Sequence, residues 1–152
     1  MSTSIHAALH ATATQLADHS DAPRREAELL LEYLTGLSRS QQLINENQLL
    51  DDDQVATLKT LTERRISGKP LAYLLGEQHF WTLRLKVSPE VLIPRPETEL
   101  LVERALHHTP TEFAGAILDL GTGSGAIALA VAKERPTATV VATDQSNTAM
   151  DT

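Results

Sequence analysis

The run Asp119-Leu120-Gly121-Thr122-Gly123-Ser124-Gly125 is entered from Ala116, Ile117 and Leu118 and left through the apolar residues 126–132. Its order is strand, glycine loop, helix. Glycine suits such a loop because the turn from strand to helix is tight, and because a ligand can approach the backbone more closely than a β-carbon would allow. The N–H groups that open the helix then face that ligand. After Pro136, a second β-rich run from Ala138 to Thr143 ends in Asp144, 21 residues beyond Gly123. A carboxylate at the tip of a second parallel strand is placed to accept hydrogen bonds from ribose hydroxyls. A loop used only for a sharp turn would explain the glycines but not the spacing of Asp144.

Two ligand classes fit the glycines. Gly121, Gly123 and Ala126 satisfy the dinucleotide pattern in which alanine replaces the third glycine. Charge separates the readings. A pyrophosphate brings negative charge to the loop, and Asp119, two residues before Gly121, would oppose it. S-adenosylmethionine instead brings a sulfonium and an amino group that an acid attracts. The residues therefore favour S-adenosyl-L-methionine held by Asp119, Gly121, Thr122, Gly123, Ser124, Gly125 and Asp144, with a nicotinamide-dependent oxidoreductase as the rival.

Other chemistry-bearing residues read more plainly. His107 and His108 are adjacent on a helix and point in different directions, and no spaced ligand completes a metal set. Glu97 and Glu99 suit the positive end of a helix dipole. Arg95, held between Pro94 and Pro96, could position either carboxylate. Phe80 and Trp81 read first as core residues.

The elements that must carry these residues divide at about Leu75-Gly76. Before that point apolar residues recur at three-and-four spacing: Ile5, Leu9, Ala13 and Leu16, with the first helix ending near Asp18, then Ala27, Leu30, Leu31 and Leu34. Asp21 is placed to cap the second helix, Pro23 to occupy its first turn and Gly36 to end it. Ser38 opens a short helix through Leu43 and Ile44. A further helix starts at Asp51, Asp52 and Asp53, shows Val55, Leu58 and Leu61 on one face, closes on Arg64-Arg65 and stops at Gly68 and Pro70. After Gly76 the period becomes two: Leu83, Leu85 and Val87 alternate with Arg84 and Lys86, predicting a hairpin with Glu77 to Trp81. Val91 to Ile93 predict a short extended piece. A helix from Glu97 to about His107 follows, with Leu101, Ala105 and Leu106 as its apolar contacts. The fold class is α/β: a helical bundle over 1–75, a β-hairpin connector over 76–95, and the start of a Rossmann-like domain over 96–152.

The 152 residues contain 41% hydrophobic and 22% charged residues, as expected of a chain able to bury a core. The net charge is −7, with 7 Lys+Arg against 10 Asp+Glu in residues 1–75 and 6 against 10 in residues 76–152. Neither half suits phosphate neutralisation, so no direct nucleic-acid partner is expected. No apolar run approaches a membrane span and no signal peptide is legible, which predicts a cytoplasmic protein with no membrane partner. The absence of cysteine excludes disulfides and thiolate chemistry.

Three stretches resemble the bacterial release-factor glutamine methyltransferases, the PrmC or HemK family. They are Phe80-Trp81 through Val87-Ser88-Pro89, the run Leu92-Ile93-Pro94-Arg95-Pro96-Glu97-Thr98-Glu99, and Ile117 through Ala130. The segment Arg24-Arg25-Glu26-Ala27-Glu28-Leu29-Leu30-Leu31 resembles the family's N-terminal bundle. The related ribosomal-protein enzymes share the architecture, but residues 95–99 stand closer to the release-factor branch. The resemblance implies methyl transfer from S-adenosylmethionine to the side-chain amide of the glutamine in the Gly-Gly-Gln motif of class I peptide chain release factors. It implies recognition of that partner by the bundle, and proximity of Arg95, Glu97 and Glu99 to substrate or cofactor. The family grips the amide with an Asn-Pro-Pro-Tyr loop. No such run occurs in this sequence, so no catalytic residue is assigned in it. The chain is thus expected to be a piece of a longer enzyme, inactive alone, with unpaired sheet edges and an uncovered apolar helix face that promote aggregation, partial folding or reliance on a partner. A non-catalytic release-factor-binding module is the second alternative.

Overall fold

In a computed structural model that describes residues 3–150, the chain divides into two units, Met1–Leu75 and Gly76–Thr152.

In the first unit, Ser4 ends the short strand β1 (Thr3–Ser4) and caps helix α1 (Ile5–Leu16), its hydroxyl accepting the Ala7 N–H at 3.2 Å. The expected stripe is buried at Ile5, Leu9 and Leu16, and Ala8 and Thr12 widen it. Helix α2 (Pro23–Thr35) ends on Gly36, whose left-handed conformation at φ 70° lets its N–H reach the Glu32 carbonyl at 2.8 Å. Asp21 does not cap this helix. Because Pro23 takes the first helical position, Ala22 occupies the capping site, and its N–H is satisfied by Ser20 Oγ at 3.0 Å. Helix α3 (Arg39–Ile44) opens at Ser38, whose N–H donates to Gln41 Oε1 at 2.9 Å; it buries Gln42 and leaves Leu43 and Ile44 exposed.

Strand β2 (Leu49–Leu50) pairs antiparallel with β1, and helix α4 (Asp52–Ile66) begins with a reciprocal cap. Asp51 Oδ1 accepts the Gln54 N–H at 2.7 Å while Gln54 Oε1 accepts the Asp51 N–H at 3.1 Å. Arg65 then reaches across to Glu26 with two parallel bonds of 2.7 and 3.0 Å, joining α4 to α2. Helix α5 (Leu71–Leu75) adds Ala72 and Leu74. Neither α5 nor the β1–β2 pair is expected from the sequence, since elements of five and two residues are too short to display a period. The core of this unit centres on Ile5, Leu16, Ala27, Leu30, Leu31 and Leu61.

The second unit opens with the expected hairpin, β3 (Glu77–Phe80) against β4 (Leu83–Lys86), in register from Glu77 opposite Lys86 to Phe80 opposite Leu83. Leu85 and Val87 are buried while Arg84 and Lys86 face solvent, as the alternation requires. The turn is Trp81-Thr82, and Trp81 sits at φ 55°, a region that residues with side chains enter reluctantly. Three contacts hold it there. Glu99 Oε1 accepts its backbone N–H at 2.7 Å, Glu134 Oε1 accepts its indole N–H at 2.9 Å, and Lys133 Nζ donates to the Thr82 carbonyl at 3.1 Å.

Residues 91–93 join no strand. A 3-10 turn, Pro96–Thr98, precedes helix α6 (Glu99–His108), so the α-helix starts two residues later than expected. Its buried residue is Val102, with Ala105 and Leu106 partly buried, while Leu101 is 56% exposed. Val102, Ala105 and Leu106 have the three-and-four spacing, and Leu101 lies one residue off their stripe.

Strand β5 (Ala116–Leu120), helix α7 (Ala126–Glu134), strand β6 (Thr139–Thr143) and helix α8 (Asn147–Met150) follow. The two strands are parallel, with Ala116 opposite Thr139 and Leu120 opposite Thr143. Arg135 closes the corner, donating to the carbonyls of Leu106 at 2.9 Å and Thr109 at 2.8 Å, which ties the end of α6 to the end of α7. The second core joins Phe80, Leu85, Val102, Ala126, Ala130 and Val131, and Ile117 and Val140 pack on it from one sheet face. The opposite face carries Leu118, Leu120 and Val141, exposed at 58, 74 and 46%. Leu129 on α7 is also half exposed. The sequence predicts an uncovered apolar helix face; the exposed apolar sheet face is an addition that the structure makes.

Leu30 is fully buried, whereas Ile44 is 80% exposed. Leu30→Ala is expected to lower stability by about 3 kcal/mol through lost transfer energy and the cavity left behind. Ile44→Ala should change it by less than about 0.5 kcal/mol. Urea unfolding followed by circular dichroism checks both values.

Candidate functional site

The glycine loop takes its shape from its own backbone and from the end of β6. Gly121, Gly123 and Gly125 have φ values of 72, 55 and 76°, all left-handed, which is why three glycines occur at alternate positions. The Thr143 carbonyl accepts the N–H groups of both Gly121 (2.8 Å) and Thr122 (3.0 Å), and the Thr122 carbonyl accepts that of Gly125 (2.9 Å). Gly125 then stands at the N-cap of α7. The helix's first N–H groups lack intrahelical partners and give the loop a partial positive charge.

The two predicted carboxylates meet this loop directly. Asp119 Oδ2 accepts the Thr122 hydroxyl at 2.6 Å. Asp144 Oδ2 accepts the Gly123 N–H at 2.9 Å, and its Oδ1 accepts the Ser146 N–H at 2.9 Å. The bonds from Ser146 and Gly123 hold the Asp144 carboxyl below the usual aspartate range, with a smaller contribution from Gln145 and a small opposing effect of burial. A groove of about 330 Å³ opens beside the loop, bounded by Thr122, Ser124, Ala128, Leu129, Val140 and Ala149 among others.

Asp119, Gly121, Thr122, Gly123, Ser124, Gly125 and Asp144 are therefore gathered at one place. The second predicted group is arranged otherwise. Arg95 and Glu97 are exposed, and the Arg95 backbone carbonyl, not its guanidinium, makes the local bond by accepting the Thr98 N–H at 3.0 Å. Glu99 is engaged with the Trp81 backbone. Two contributors escape the sequence reading. The Thr143 carbonyl is backbone and has no side-chain signature, whereas Ser146 sits two residues past Asp144, the spacing of an Asx turn, and could have been read. Among the described residues, no group of three or more His, Asp or Glu side chains is arranged to hold a metal. None of the helices among them is long and apolar enough to cross a membrane.

Residues 96–152, which hold the strand, the left-handed glycine loop, the helix and the parallel strand that leads into Asp144, match the family model of the methyltransferase small domain. Residues 7–76 match the PrmC N-terminal domain. The release factor glutamine methyltransferase of Coxiella burnetii is 48% identical over 147 residues, 97% of this chain and 53% of that protein. Those of Salmonella typhimurium and Escherichia coli are 53% identical over 137 residues and 52% identical over 126 residues, covering 90 and 83% of this chain and 49 and 45% of theirs. Over most of its length the chain is thus similar to the N-terminal half of release factor glutamine methyltransferases. It spans about half the length of the curated relatives it matches.

Two outcomes follow from the loop. At Gly121 and Gly123 an added Cβ meets nothing within 4 Å, so Ala there is opposed by φ alone; each substitution is expected to destabilise the second unit by about 1 kcal/mol in thermal unfolding. Because the folded-state value of Asp144 is lowered, its bond to Gly123 is fully present above the ordinary aspartate pKa and is lost as pH falls through the lowered value. In an NMR titration the Gly123 amide should move with a midpoint below that of a free aspartate. The Asp144→Asn variant should abolish the transition, and a midpoint at or above the free value would contradict the assignment.

Proposed function

We propose that this chain carries the S-adenosyl-L-methionine loop of a Rossmann-like class I methyltransferase domain, in an enzyme that methylates the glutamine of the Gly-Gly-Gln motif of class I peptide chain release factors. The observation that carries the reading is the junction of Gly123 with Asp144 at 2.9 Å, with Asp119 on the same loop. Asp119 gives the loop a negative charge that attracts the amino group of the donor and repels a pyrophosphate. Asp144, at the end of β6, faces the ribose hydroxyls. The fit is favourable: there is open space over Gly121 and Gly123, and the adjoining groove is of a size suited to part of a nucleoside.

When bound, S-adenosylmethionine supplies an electrophilic methyl group on sulfur. Held by Asp119, residues 121–125 and Asp144, the donor would offer that methyl to the side-chain amide nitrogen of the partner's glutamine. An amide nitrogen is a poor nucleophile, so alignment supplies much of the rate. The Asn-Pro-Pro-Tyr run that would align it is not among these 152 residues. The share of the reaction assigned here is cofactor holding by residues 96–152, partner recognition by the bundle over 1–75, and connection through 76–95. The setting is cytoplasmic.

Calorimetric titration with S-adenosylmethionine and with NAD tests the reading. S-adenosylmethionine should bind, Asp119→Ala should weaken it about tenfold, and NAD should give no heat. Binding of NAD alone would sink the proposal in favour of a hydride-transfer enzyme.

A further inference from the structure

One carboxylate in the first unit gathers three cations. Glu28 on α2 is buried, its side chain 5% exposed, yet Arg24 Nε, Arg25 Nη1 and Arg39 Nε lie 3.5, 3.4 and 3.1 Å from its oxygens. The arginine side chains are themselves 67, 51 and 64% exposed. A single carboxylate satisfies only a few of the fifteen or so N–H donors that three guanidinium groups carry, so most of them point outward. The result is a local surplus of positive charge on a unit with 7 Lys+Arg against 10 Asp+Glu. Beside it Gln42, 3% exposed, spends its Nε2 on the carbonyls of Glu28 (3.0 Å) and Leu37 (2.9 Å), and its buried Oε1 has no partner. A groove of about 270 Å³ runs from Arg24 along α1, lined by His6, Leu9, His10, Ala13 and Thr14. Leu43 and Ile44, 56 and 80% exposed, flank the patch on α3.

We infer that this α1–α2–α3 edge is the docking face for an acidic segment of the protein partner, flanked by an apolar side chain. Exposed arginines in this arrangement take carboxylates in paired hydrogen bonds. A phosphate backbone supplies negative charge but no apolar group for the exposed Leu43 and Ile44. An acidic peptide with an apolar side chain supplies both. The inference rests on the release-factor reading for the partner's identity.

The test titrates the full chain with a purified class I release factor at low and at raised salt, beside a single-stranded RNA oligonucleotide. The double variant Arg24→Gln/Arg39→Gln leaves Arg25 on Glu28. It should weaken release-factor binding roughly tenfold and flatten the salt dependence. Ile44→Ser alters an exposed residue and spares the fold, and should weaken binding about threefold with an unchanged circular dichroism spectrum. Unaltered binding by both variants, no release-factor binding by the parent chain, or binding of RNA in place of the release factor would each overturn the docking face. S-adenosylmethionine titration of the same proteins keeps the two proposals apart. Retained cofactor binding beside unaltered release-factor binding rejects the docking face alone, whereas loss of cofactor binding by the parent chain rejects the reading beneath it.

Discussion

The bond from the Gly123 N–H to Asp144, with the two that the Thr143 carbonyl accepts from Gly121 and Thr122, is the constraint on which the second unit is arranged. These bonds form only if β5 and β6 run parallel in the observed register, with Leu120 opposite Thr143. A slip by one residue would move every side chain of β6 to the other face and withdraw Asp144 from the loop. The register is in turn held by Ile117 and Val140 packing on α6 and α7, and α6 and α7 are joined by Arg135. The loop is therefore shaped by the sheet and by its own backbone.

Carboxylates serve as internal acceptors throughout this acidic chain. Asp51 caps α4, Glu26 pins α4 to α2, and Glu99 and Glu134 hold the turn at Trp81. The bonds of Glu26, Glu99 and Glu134 join residues far apart in sequence. The last pair also gives Glu99 a structural task. Its acceptor atom is occupied by a backbone N–H that must be satisfied in a strained turn, so Glu99 positions the hairpin against the start of α6.

What was legible in the sequence was local. Pro23, Gly36 and Asp51 stand where the helix ends require them, and the change of period at Gly76 marks the hairpin. The glycine loop and Asp144 were legible because left-handed turns admit few residue types and because a crossover of fixed length separates the two. What escaped was decided by neighbours distant in sequence. Nothing near Trp81 announces a positive φ, since the groups that stabilise it come from residues 99 and 134. Nothing in the Arg24-Arg25 pair announces that Arg39 joins it on a buried Glu28. Asp21 and Leu101 each miss by one residue: Pro23 at the first helical position puts the capping site at Ala22, and the buried stripe of α6 runs through Val102.

Trp81 is the chain's single tryptophan, and both tyrosines, Tyr33 and Tyr73, belong to the other unit. Its half-buried indole is hydrogen-bonded to the Glu134 carboxylate, an environment that loss of the hairpin turn would replace with water. The two units consequently carry separate intrinsic fluorophores. Tryptophan emission reports on the unit that holds the glycine loop, tyrosine emission on the bundle, and the order in which the two melt can be read from one unlabelled sample.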